Sequence, residues 1–206
     1  MGLGLTLCMA DWQHLGSVPV EERVRALGDA TLWAADDDEY QRGGTAGSWL
    51  WPPDRGDAWC AEYDFRSTSG AFGPHARAGD AWDDMRPLVD ASVREAMDAF
   101  LTGLVWDEDP AADPALSGAG GFFPPPADRW HPSVLVVCPP EALPGKVNAW
   151  SGVESRLEEL REAFAAECAG WAGRPDTFED LTALLREWAD VTAEAARRGW
   201  GLVGLP

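Results

Sequence analysis

Apolar positions along this chain fall into two regimes: short runs with no polar break, and longer stripes at steps of three and four. The stretch from Asp176 to Leu205 shows both. Asp176 and Glu179 have the spacing of a capping box, in which side chains satisfy orphan N–H groups at a helix start. Phe178, Leu181, Leu185, Trp188, Thr192 and Ala195 then recur on one helical face. Arg197 and Arg198 suit the negative end of the helix dipole, and Gly199 is a natural stop. From Trp200 to Leu205 no charged residue interrupts the run, which reads as a strand buried on both faces.

The same reading gives the other elements. Leu3–Met9 is apolar almost throughout and predicts a central strand, and Ser133–Cys138 predicts another. In Trp59–Arg66, Trp59, Ala61, Tyr63 and Phe65 alternate with Cys60, Glu62, Asp64 and Arg66, which predicts a strand with one buried and one open or cleft-lining face. Asp11–His14 reads as a loop. Helices are expected after Ser17 and Pro19, and after a cap at Asp83 or Asp84 with a stripe from Val89 to Leu104. A further helix is expected after a Ser151/Glu154 capping box, with a stripe from Val153 to Trp171. Ser67–Gly79, with His75, reads as a loop. The expected fold is therefore α+β in a single domain, residues 1–206. It has a small mixed or antiparallel sheet and about four helices, and a C-terminal helical hairpin leads into a final core strand. Irregular loop insertions are expected near residues 34–55 and 107–132.

The termini carry a family likeness. Met1 and Gly2 before an apolar strand, and Leu181 through Trp188, Ala195, Ala196, Gly199, Gly201 and Leu202 at the other end, resemble the YfbM-like bacterial family of unknown function. The resemblance implies an intracellular α+β domain and no assigned activity, and it transfers no functional residues.

Charge narrows the partners. Net charge is −19 with 12 Trp, and one lysine, Lys146, stands against fifteen arginines, a composition typical of GC-rich actinobacterial genomes. Such a balance excludes phosphate-backbone binding as the default, so no nucleic-acid partner is expected. Leu3–Met9 is too short to span a bilayer and no basic leader precedes it, so a cytoplasmic location without a membrane partner is expected. Cys8, Cys60, Cys138 and Cys168 include no CxxC pair and read as buried thiols.

The candidate chemistry is sparse. P-loop, dinucleotide-fold, zincin and serine-elbow motifs are absent. Asp36, Asp37 and Asp38, with Glu39, form an acidic run without the alternation of an EF-hand, so no metal and no cofactor are expected. Glu62 and Asp64 share a strand face at roughly 6.5–7 Å, a separation that serves paired-carboxylate acid/base chemistry. His131 is a further weak candidate. Trp49 and Trp51 are either a plug over the core or a ligand surface, and Phe122 and Phe123 either a recognition surface or a pin. The leading expectation is an interaction module, of the immunity type, that neutralises a basic protein. The alternative is a small-molecule binder or hydrolase-like enzyme using Glu62 and Asp64 in a Trp-lined cleft. The sequence sets no oligomeric state.

Overall fold

The computed structural model describes residues 3–31, 48–52, 58–107, 121–125 and 132–206. The fold is α+β, as expected. Five strands form one sheet in the order β2-β3-β1-β5-β4, and every pairing is antiparallel. They are β1 (Thr6–Ala10), β2 (Ser48–Leu50), β3 (Cys60–Asp64), β4 (Val136–Cys138) and β5 (Gly201–Leu205). The helices are α1 (Trp12–Ser17), α2 (Arg23–Thr31), α3 (Gly73–Met85), α4 (Ala91–Leu101), α5 (Leu143–Val153), α6 (Arg161–Glu167) and α7 (Phe178–Arg198). Among the described residues, no helix is long and apolar enough to cross a membrane.

Strand alternation divides the core in two. Leu7, Met9, Ala61, Tyr63 and Leu202 face a large layer built from α3 to α7. Cys8, Ala10, Cys60, Val203 and Leu205 face a smaller layer with Leu15 of α1, Leu27 of α2 and Phe123. The open face expected of β3 is therefore covered. Cys60 is buried there, and Glu62 and Asp64 are half-buried, because α2 packs over the strand.

β1 starts at Thr6 rather than Leu3. Before it, Leu5 N–H donates to Gly70 O at 2.8 Å and Phe72 N–H donates to Leu3 O at 2.9 Å, so the chain pairs with the turn after β3. β2 lies inside the stretch expected to be irregular. Three residues among Gly and Pro carry no periodic signal. What holds them is cross-strand packing, with Trp49 opposite Tyr63 and their rings edge-to-face at 5.1 Å.

Several helix boundaries differ from expectation. Asp11 caps α1, accepting from the N–H groups of Gln13 and His14, so the loop expected at Asp11–His14 is a short helix. α3 occupies most of the loop expected over Ser67–Gly79; Gly73 and Gly79 disguise it, and a Cβ on Gly79 would overlap Val105 O. The cap of α4 is Asp90, not Asp83 or Asp84. Ser151 caps nothing. It sits inside α5, with its hydroxyl bonded to Val147 O at 3.0 Å. A 3-10 stretch, Glu154–Leu160, separates α5 from α6. The box that starts α7 is Thr177 with Asp180, one residue past the expected pair. The predicted buried stripe of α7 is observed, and the helix stops at Gly199 with φ 68°.

The lone lysine has a structural use. Lys146 Nζ donates to Thr102 O, to Phe100 O at 3.1 Å and to Ala99 O at 3.4 Å, placing a buried cation on the carbonyl end of α4. Its burial lowers the ammonium pKa. On the other face, the Trp12 ring packs against Gly201 of β5. A Cβ at Gly201 would overlap the Trp12 ring and meet Cys138 O at 3.0 Å. Gly201→Ala should therefore destabilise the fold by about 2 kcal/mol, the cost of overpacking. Gly152→Ala, in open space on α5, should be neutral or stabilising by about 0.5 kcal/mol. Urea unfolding of both variants checks the pair.

Candidate functional site: a cleft between α3 and α7

Among the described residues, those singled out from the sequence do not converge on one site. Glu62 lies opposite Cys8 in the β1–β3 register, under the smaller layer, and Asp64 ends β3 opposite Ser48. Trp49 and Trp51 are half-buried against the large core. Trp51 stacks at a tilt on Trp200, with the Arg198 guanidinium 4.1 Å over its ring. This is the plug arrangement. Phe123 is buried, and Phe122 is held between Trp12, stacked at 4.4 Å, and the Arg23 guanidinium at 4.3 Å. Arg23 also donates to Phe122 O, Val18 O and Gly16 O, so these two Phe are a pin. Asp36, Asp37, Asp38 and His131 lie outside the described residues.

A cleft of about 170 Å³ opens elsewhere, between the turn after β3, the start of α3 and the first turns of α7. Neither Glu62 nor Asp64 lines it. Its rim is the Ser67–Gly70 turn, where Ser69 takes a left-handed φ of 47°. A non-glycine residue in that region is strained and must be held by its surroundings. Glu187 of α7 holds it. Its carboxylate accepts from the N–H of Arg66 at 2.7 Å, from the N–H of Ser67 at 3.1 Å and from the Ser67 hydroxyl.

Beneath the turn lies a buried polar chain. Trp188 Nε1–H donates to His75 Nδ1 at 3.1 Å. A neutral imidazole that accepts at Nδ1 carries its proton on Nε2, and this faces Thr68 Oγ1 at 3.3 Å. Burial pushes the His75 pKa down to about 3, so the ring stays neutral. His75 is thus a positioning group that fixes Thr68, not a base. The Thr68 oxygen accepts a hydrogen bond from the His75 Nε2–H, and the hydroxyl keeps its own proton to donate.

The opposite wall is the start of α7. Thr177 and Asp180 are engaged with each other in the capping box, while Asp176 stands exposed just outside it. Arg77 of α3 lines the cleft half-buried. Among the described residues neither Arg77 nor Asp176 has a hydrogen-bond or ion-pair partner. Pro74, Pro175, Leu181 and Leu184 supply apolar wall. The arrangement offers two donors on one side, a carboxylate on the other and an apolar floor between.

The thiols are not nucleophiles. All four are free and buried, and burial raises Cys8 well above the ordinary thiol range and Cys60, Cys138 and Cys168 to about 11. No cluster of metal-ligating side chains occurs among the described residues. No protein-family model matches the chain, and no curated protein or solved structure is significantly similar to it.

Sequence reasoning missed this cleft because it read α3 as loop. Pro74, at the start of α3, with apolar positions at Ala78, Ala81, Trp82 and Met85, was the available helix signal.

The neutral His75 has a thermodynamic consequence. Its folded pKa of about 3 lies below the unfolded value near 6.5, so the unfolded chain binds the proton first. The contribution is fully present above the unfolded pKa and is lost as pH falls toward the folded one. Stability should fall by about 2 kcal/mol between roughly pH 6.5 and 5 from this group alone. Urea titrations of wild type and His75→Gln check this, the variant showing a flatter slope in that window.

Proposed function

We propose that this protein is an interaction module that docks a basic protein through an acidic surface. The observation that carries the reading is where its cations go. Arg86, Arg156, Arg161, Arg174, Arg197 and Arg198 each contact a carboxylate of the same chain. Arg23 and Lys146 are spent on backbone carbonyls. Exposed surface pairs add little to stability, but each cancels a positive charge that an anionic ligand would need. Exposed carboxylates such as Glu95, Glu154, Glu162 and Glu167 remain, and the net charge of the chain is −19. Such a field attracts a basic protein at long range and repels a phosphate backbone.

One aromatic side chain offers an anchor. Trp171, expected within a buried stripe, is 71% exposed because α6 ends at Glu167. The turn that carries it is fastened on both sides, by Cys168 Sγ on Ala81 O and by Arg174 on Asp84 at 2.6 Å. A fixed, exposed indole on an acidic chain suits a guanidinium from a partner. The hydrolase-like reading has less support, because Glu62 lies half-buried under α2 beside two protonated thiols.

Affinity capture of the tagged protein from its host lysate tests the proposal. A basic protein should be retained at about 0.05 M salt and released at about 1 M, where screening shrinks to ~3 Å. Trp171→Ala should weaken that complex roughly tenfold, as expected for an interface anchor. Capture that ignores salt, or a captured protein that is acidic, contradicts the reading.

A further inference from the structure

We infer that the cleft between α3 and α7 binds a free amino acid with an apolar side chain, a function separate from protein docking. Three observations carry this. The first is an unmatched pair of charges. Arg77 and Asp176 line one small cleft and no ion pair joins them, although most described arginines of this chain do find a carboxylate. A zwitterion placed between them completes both pairs, with its carboxylate on the guanidinium and its ammonium on Asp176.

The second observation is the Thr68 hydroxyl. Thr68 is only 5% exposed and lines the cleft. Its oxygen accepts from His75 Nε2–H, and among the described residues its own proton has no acceptor. That proton is left to be donated into the cleft, and a ligand carboxylate held by Arg77 supplies an acceptor. The buried chain from Trp188 through His75 then has a purpose: it fixes which way that proton points. Glu187, by holding the strained turn, fixes where Thr68 sits.

The third is size. About 170 Å³ falls below the roughly 300–1,000 Å³ of sites that take drug-sized ligands. It suits one amino acid, whose side chain meets Pro74, Leu181 and Leu184. A bare anion such as phosphate would leave Asp176 uncompensated and would meet the repulsion of a −19 chain. A zwitterion carries no net charge and avoids that cost.

The test is calorimetric titration of the intact protein with alanine, valine, leucine and phenylalanine, alongside N-acetyl-leucine and leucinamide. At least one free amino acid should bind with a dissociation constant below about 1 mM. N-acetylation and amidation should each weaken binding at least about tenfold, since each removes one charge-assisted contact. Arg77→Gln and Asp176→Asn should do the same while leaving the urea midpoint unchanged. Absence of binding by every free amino acid overturns the inference. So does binding that survives both substitutions, or binding in which the blocked derivatives match the free amino acid. None of these outcomes bears on salt-dependent capture of a basic protein.

Discussion

The pairing of β1 with β5 is the constraint on which the rest depends. It joins the two ends of the described chain at the centre of the sheet, in register from Thr6 opposite Leu205 to Ala10 opposite Gly201. Both strands are buried almost throughout, with core layers on both faces. Burying each large apolar side chain contributes roughly 1.5–3 kcal/mol, and the pair places Leu7, Met9, Leu202 and Val203 at the middle of the two core layers. Every other strand is added outward from it. Because the pairing is non-local, it must await chain closure, and slow folding relative to a helical bundle follows.

α7 connects this centre to the surface features. Its buried stripe lies against the core, and its last turn delivers the chain into β5. Adjacent residues then serve opposite sides: Trp188 orients His75 in the interior, and Glu187 fastens the turn after β3 at the rim. The cleft is therefore built from a helix whose buried stripe lies in the core and a strained turn pinned to it. Sites on rigid elements hold their geometry better than sites on free loops.

Legibility in the sequence followed the range of the interaction. The α7 stripe, the Gly199 stop and the apolar β5 are local patterns, and all were readable. β2 was not, because Trp49 is held by Tyr63 across the sheet. α3 was not, because Gly73, Gly79 and Pro74 imitate a loop, and with it went His75, Arg77 and the cleft. Glu62 and Asp64 do share a strand face, as alternation requires, but nothing in one strand shows that α2 covers it. The aromatic pairs were read with both roles open, and packing chose: Trp51 against Arg198 and Phe122 against Arg23 are covers for the core.

The most direct test of this architecture is native-state hydrogen exchange across β1 and β5. If the pair is the centre on which both layers depend, its amides exchange only through global unfolding, with opening free energies equal to the urea-derived stability. β5 should then be as protected as β1. If β5 amides instead exchange by local fraying, well below the global value, β5 is an appendage and the account of the fold is wrong.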